Sequence, residues 1–210
     1  DACRKIAILT SLISGQHVDF EKIHTEGITK ITTEDMKYAK KLNMAIKLLA
    51  SSKRVGDTFS VLVAPMLLSE EHPLCNVNDV FNAVFVRGNM LGDAMFYGSG
   101  AGKLPTASAV VADVVDAAKH LHRNVVTRWD EGELELIPNA EAEHRFFVRV
   151  QGRSEAQKEQ IREAFGSVEI VETEGLEDEF GFITEVMTEG TYSKKAEAFP
   201  EIIHMIRLAD

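Results

Sequence analysis

Residues 145–150 (RFFVRV), 154–165 (SEAQKEQIREAF), 168–173 (VEIVET), 179–187 (EFGFITEVM), 192–199 (YSKKAEAF) and 202–208 (IIHMIRL) decide the fold. They read in turn as strand, helix, strand, strand, short helix and strand, separated by glycine and acidic breaks. This is a βαββαβ order within about 65 residues, the ferredoxin-like arrangement. Ser154 with Gln157 three residues later forms a capping box at the start of the first helix, and Gly152 lets the chain turn out of the preceding strand.

Upstream, residues 123–142 are charge-rich with little sustained periodicity and carry Trp129, Gly132 and Pro138. They read as a linker with one possible strand, between a region at 1–122 and a domain at 143–210. In the first region, Ile6, Leu9 and Ile13 recur at helical spacing over 2–13, and Ser14-Gly15 supplies the stop. Thr32-Thr33-Glu34-Asp35 offers an N-cap and acidic first turn for a helix ending near Asn43. Runs at 45–51, 58–67, 81–87 and 94–97 predict one mostly antiparallel sheet region. A glycine cluster then leads into an Ala- and Val-rich helix over 106–121, whose small side chains predict close packing. The fold class is therefore α+β, a mixed or antiparallel sheet with helices followed by the βαββαβ domain.

Composition narrows the function. Twenty-three Lys and Arg against 33 Asp and Glu leave a formal net charge of −10 over 210 residues, which repels nucleic-acid phosphates and acidic lipid surfaces. The longest nearly unbroken apolar run, 61–68, contains Pro65 and is well short of the roughly 20 residues that cross a bilayer. Two cysteines, Cys3 and Cys75, make no disulfide framework, and no signal peptide opens the chain, so a reducing cytoplasmic setting is expected. Both cysteines read as buried, inert thiols.

Gly98-Ser99-Gly100-Ala101-Gly102 lies between a strand and a helix, where backbone N–H groups and a helix start can meet a phosphate or a ribose. It is neither a P-loop, since three residues and not four precede Gly102-Lys103, nor a dinucleotide fingerprint, whose third glycine would fall at 103. Taken alone, it reads first as a tight turn with close packing. Asp1 and Lys5 stand four apart on one helical face, suited either to a solvated ion pair or to a proton donor held beside a carboxylate. Histidines 17, 24, 72, 120, 122, 144 and 204 form no ligand constellation and read as surface residues, so no metal site is expected. Asp113 and Asp116 fit an exposed helical face.

One further set of strings is specific by its order and separations: Asp1-Ala2-Cys3-Arg4-Lys5, Glu26-Gly27-Ile28, Ile46-Lys47-Leu48-Leu49-Ala50, His72-Pro73-Leu74, Asn82-Ala83-Val84 and Tyr97-Gly98-Ser99-Gly100-Ala101-Gly102-Lys103-Leu104-Pro105-Thr106-Ala107. Together they resemble the C-terminal half of homoserine dehydrogenase, from Asp1 to about Leu121. The C-terminal domain at 143–210 is similar to the ACT regulatory domain that many bacterial members carry.

The resemblance implies an enzyme that interconverts L-aspartate 4-semialdehyde and L-homoserine with NADP or NAD, on the route to threonine and methionine. It implies Lys5 as the proton-relay residue and Asp1 as a substrate-site carboxylate. It implies Gly98, Gly100, Gly102 and Thr106 in the loop that closes against the cofactor. The family's N-terminal Rossmann domain is not in these residues, so most of the cofactor site is expected outside them. Where ACT domains usually have an Asp-x-Pro-Gly turn, Gln151-Gly152-Arg153-Ser154 stands, which leaves an amino-acid effector an open expectation. A homodimer or larger even-numbered assembly is expected from apolar strand surfaces, because Phe180, Phe182, Ile183 and Met187 leave neither face of one strand fully polar. The alternative is an amino-acid-binding regulatory or assembly module without catalysis of its own.

Overall fold

The computed structural model describes residues 1–123, 126 and 130–209. Residues 124, 125 and 127–129, part of the expected linker, lie outside the described residues. Two compact units result, one built from 1–69 with 129–210 and the other from 70–128. This line differs from a division at 122 and 143, because the last 65 or so residues share a sheet and a core with the first 69.

In the first unit, helix α1 (Ala2–Ser14) leads to the short strands β1 (Gln16–His17) and β2 (His24–Thr25). Helix α2 (Thr33–Lys41) and the hairpin β3 (Met44–Val55) and β4 (Thr58–Ser69) come next. The second unit holds the hairpin β5 (Phe81–Gly88) and β6 (Gly92–Ser99) and helix α3 (Lys103–Lys119). The chain then re-enters the first unit with β7 (Asp130–Glu133), β8 (Glu143–His144), β9 (Phe146–Gln151), α4 (Glu155–Phe165) and β10 (Val168–Val171). It ends with β11 (Glu179–Thr184), β12 (Met187–Thr188), α5 (Glu189–Ala196) and β13 (Ile202–Leu208).

The local signals act where the sequence places them. Gly15 closes α1 with φ 75°, a left-handed position that returns its N–H to Ser11. Thr32 and Asp35 form a reciprocal capping box on α2, and Ser154 with Gln157 forms another on α4. The principal sheet runs β10-β11-β9-β13-β4-β2, with β3 against β4. Along β10-β11-β9-β13 each strand is antiparallel to its neighbour, whereas β13 meets β4 in parallel at Arg207↔Met66 and Leu208↔Leu67.

Four apolar clusters are found among the described residues, the smallest around Leu62, Ala64 and Met66 of β4. α1 packs Ile6 and Ala7 on Val61, Val63 and Leu134. α4 and α5 cover Phe146, Val148, Val150, Phe180 and Phe182 with Ile161, Phe165 and Tyr192. The opposite face of the same strands, bearing Phe147, Ile183 and Ile206, is covered by Tyr38 and Ala39 of α2. β11 is buried along its whole length for that reason. The apolar alternation at 180–187 therefore finds its second partner within the chain, and it supplies no argument for a second copy.

Other expectations are corrected. The strands at 45–97 form no single sheet: β3 and β4 belong to the principal sheet, while among the described residues β5 and β6 pair with each other alone. Helix α3 buries none of its residues, with Val110, Val111 and Val114 each more than half exposed, so close packing is not realised among the described residues. Cys3 and Cys75 are free and half-buried, not buried. No helix among the described residues is long and apolar enough to cross a membrane.

Candidate functional site

Lys5 and Asp1 meet at the amino end of α1, with Lys5 Nζ 2.6 Å from Asp1 Oδ2 and both side chains largely solvent-facing. The helix below them is anchored. Ile6 and Ala7 face the core, Thr10 Oγ1 donates to Ser52 Oγ at 2.8 Å, and Ser11 Oγ donates to the Ala7 carbonyl while accepting from Val18 N–H. Burial of the i, i+3, i+4 face thus fixes which way Lys5 points, and its ammonium is a donor on a long stem above a rigid base.

The second unit holds the glycine loop. Gly98 lies in β6, Gly100 donates its N–H to the Val80 carbonyl at 3.3 Å, and Gly102 stands as N-cap of α3. A Cβ at Gly100 would lie 2.5 Å from Asn82 Nδ2, the end of an exposed side chain that occupies the space beside the glycine. Gly102 has φ 116° and ψ 160°, a region open to glycine, and no side chain caps the helix start there. Thr106 N–H bonds the Gly102 carbonyl at 3.1 Å. Thr106 and the three glycines are exposed. Asp1 and Lys5 are thus brought together in one unit, and Gly98, Gly100, Gly102 and Thr106 in the other.

Two ionic clusters of the first unit were not legible as such. In one, Arg149 of β9 holds Glu179 through two hydrogen bonds, at 3.0 and 2.7 Å, and Asp35 through a third at 2.8 Å. His204 Nδ1 pairs with the other oxygen of Asp35 at 3.0 Å. Burial disfavours the Asp35 carboxylate, yet the bonds from His204, Arg149 and Thr32 N–H outweigh it and hold its pKa at about 2. In the other, Arg207 of β13 grips both carboxylate oxygens of Glu189 and reaches Glu26 Oε1 at 2.8 Å. Glu26 Oε1 also meets His24 Nε2 at 2.6 Å. Burial again opposes ionisation, and Arg207 and His24 bring the Glu26 pKa to about 2.

His24 and His204 are therefore hydrogen-bonded to the carboxylates of Glu26 and Asp35 and are not ordinary surface histidines, and His144 Nε2 lies 4.0 Å from Glu189 Oε1. The sequence marked Glu26 in the Glu26-Gly27-Ile28 string and Asp35 in the capping turn of α2, and it marked neither as the partner of a distant arginine. Among the described residues no group of three or more His, Cys, Asp or Glu could hold a metal.

The model of the family described as homoserine dehydrogenase matches residues 1–115, which include α1 with Lys5, the Glu26 string and the glycine loop. The chain belongs to the homoserine dehydrogenase family. A homoserine dehydrogenase of Bacillus subtilis is 44% identical over 125 residues, covering 60% of this chain and 29% of that protein. One of Mycobacterium bovis is 33% identical over 222 residues, covering 96% of the chain and 50% of that protein. A solved homoserine dehydrogenase of Thiobacillus denitrificans superposes with a TM-score of 0.83 at 30% identity, covering all of the chain and 52% of that structure. The chain spans about half or less of the length of these relatives. As a homoserine dehydrogenase family member, it carries Asp1, Lys5 and the loop glycines within the matched residues.

Proposed function

We propose that this chain is the C-terminal part of an NAD(P)-dependent homoserine dehydrogenase, in which Lys5 passes a proton to and from the substrate oxygen. The observation that carries the reading is the exposed Lys5–Asp1 pair, 2.6 Å apart at the open end of an anchored helix inside the family-matched region. Reduction of an aldehyde leaves negative charge on oxygen, and an ammonium beside it stabilises that charge as it forms and donates the proton. Asp1 holds the Lys5 ammonium between turnovers and offers a carboxylate to the substrate ammonium.

The nicotinamide cofactor, when bound, supplies or accepts the hydride. The loop at 98–102 suits such a group: glycine leaves its backbone bare, Asn82 fills the space a Cβ at Gly100 would take, and the N–H groups at the start of α3 carry no side-chain cap. Gly98, Gly100, Gly102 and Thr106 would hold it, with the rest of the site supplied by residues outside this chain.

Residues 143–210 are proposed as an ACT-type regulatory domain, a reading supported by the antiparallel order β10-β11-β9-β13 with α4 and α5 on one face. A cytoplasmic enzyme of threonine and methionine biosynthesis belongs to the same reading. So does a homodimer or larger even-numbered assembly, to which the partly exposed Phe81, Met95 and Phe96 of the β5–β6 hairpin lend support.

The test is the full-length protein carrying Lys5→Ala, assayed for oxidation of NADPH and of NADH with aspartate semialdehyde. A loss of about 100-fold or more in kcat, with an unchanged melting temperature, is expected of a general acid. Unaltered kcat would remove Lys5 from the chemistry, and no activity in the unsubstituted protein would remove the reading itself.

A further inference from the structure

Lys5 is only as well placed as the helix that carries it. Its ammonium pairs with Asp1, four residues back on the same helix, so the place of its stem is set by how α1 lies on the first unit. Ile6 and Ala7 are buried in a cluster whose sheet side comes from Phe59, Val61 and Val63 of β4. One buried member of that cluster comes from far along the chain: Leu134, just after β7, is 6% exposed. Leu136 packs against the same cluster half-buried, as do Ala2 and Cys3 of the first turn of α1. Part of the floor of α1 is therefore laid by residues beyond the 1–115 that the family model matches.

Residues 130–138 run along the first unit as a strap. Asp130 N–H donates to the Gly15 carbonyl at 2.6 Å, Leu134 N–H to the His17 carbonyl at 2.7 Å, and Ile137 N–H to the Phe59 carbonyl at 2.9 Å. Thr58 Oγ1 donates to the Glu135 carbonyl, and Lys22 Nζ to the Glu133 carboxylate. Farther on, the Ala142 carbonyl accepts from Glu189 N–H at 3.0 Å, and Glu189 is the carboxylate that Arg207 grips. With its backbone fixed along its length, the strap holds Leu134 at a set height in the core, and a close-packed core passes that height to the helix. We infer that Leu134, assisted by Leu136, is a positioning residue for the proton relay: it fixes the height and rotation of α1, and so the place of the Lys5 ammonium, without touching substrate. A displacement of about 1 Å at a catalytic group costs up to about 100-fold in rate, so a small settling of α1 has a large kinetic effect.

The inference rests on the reading of Lys5 as the proton relay, and its test is run in the full-length protein with aspartate semialdehyde and NADPH, below the melting temperature of every variant. Leu134→Ala should lower kcat by at least about ten-fold and leave the KM for NADPH within about two-fold, because the glycine loop belongs to the other unit. Leu134→Met, which keeps the volume, should restore kcat to within about two-fold of the unsubstituted protein. Leu136→Ala, a half-buried change that leaves the core closed, should lower kcat by at least about three-fold and decides the matter if Leu134→Ala does not fold. Ile161→Ala empties a comparable space in the core under α4 and should lower the melting temperature with kcat within about two-fold. Added to Lys5→Ala, Leu134→Ala should cost no more than about a further two-fold in kcat, since it acts through Lys5. Unaltered kcat in both Leu134→Ala and Leu136→Ala, an equal loss in Ile161→Ala, or losses that multiply in the double variant each overturn the inference while the oxidoreductase reading stands. An inactive unsubstituted protein overturns that reading, and the inference with it.

Discussion

Arg149 donates to Asp35 at 2.8 Å across 114 residues of chain, and both side chains are almost wholly buried. The bond joins the middle of β9 to the capping turn of α2, so the element that covers one face of the sheet is held by charge as well as by packing. Arg149 also neutralises Glu179, and one guanidinium therefore serves two buried carboxylates.

Arg149→Met should accordingly destabilise the first unit by about 3 to 5 kcal/mol, because it leaves Asp35 and Glu179 buried without their shared cation. Urea unfolding followed by far-UV circular dichroism gives the number. A loss below about 1 kcal/mol would mean that water reaches both carboxylates in the variant.

Acid should destabilise the first unit progressively through both ionic clusters. Asp35 and Glu26 both have folded pKa values of about 2, below their ordinary 3.8 and 4.5. Their contribution is complete above about pH 4.5 and is lost as pH falls through the range from there to about 2. For Asp35, which is fully buried, the displacement is worth roughly 2 kcal/mol, whereas Glu26 is partly exposed and contributes less. Asp35→Asn should be less stable than wild type at pH 7 and show a shallower decline between pH 4.5 and 2. Parallel pH profiles for the two proteins would show that Asp35 does not titrate as described.

Gly181→Ala tests the packing of the same face. A Cβ at Gly181 in β11 would stand 2.5 Å from Cε2 and 2.9 Å from Cζ of Phe147, and 3.3 Å from Tyr38. Phe147 and Tyr38 are buried with ring centroids 5.2 Å apart, so neither ring has room to yield. One added methyl group should cost about 1 to 3 kcal/mol, read as a lowered urea midpoint with unchanged slope. A neutral result would show that the rings shift freely.

The helices and strands were largely legible because their signals are local: the Ser14-Gly15 stop, the Thr32–Asp35 and Ser154–Gln157 capping boxes, and the βαββαβ order all lie within short windows. Asp1 and Lys5 were legible as a pair for the same reason, being one helical turn apart. What the sequence concealed is long-range. Nothing near Arg207 announces Glu26, 181 residues away, and no spacing rule places Tyr38 on Phe147. The apolar residues on both parities of β11 were visible, but a second copy and a helix from the same chain satisfy that pattern equally. Helix α3 misled in the other direction, since small apolar residues announce that a helix can pack closely and not that anything lies against it.

The shared core makes truncation the most severe of these changes. Residues 143–210 contribute Phe147, Val171, Ile183, Ile206 and Leu208 to one cluster, and the first 69 residues contribute Tyr38, Ala39 and Leu67. Burying each large side chain is worth roughly 1.5 to 3 kcal/mol, so cutting the chain at 142 uncovers several such contributions at once. The cut also removes Arg149 from Asp35, Arg207 from Glu26, and the parallel partner of β4 at Met66 and Leu67. Against a total stability of about 5 to 15 kcal/mol, these losses exceed what a folded remainder can sustain. Residues 1–142 alone should therefore lack near-UV circular dichroism in the first unit's aromatic signals, bind the dye ANS and unfold without a cooperative transition. A truncated chain that melts cooperatively near the temperature of the full chain would show that 143–210 is an appended domain and not part of the core.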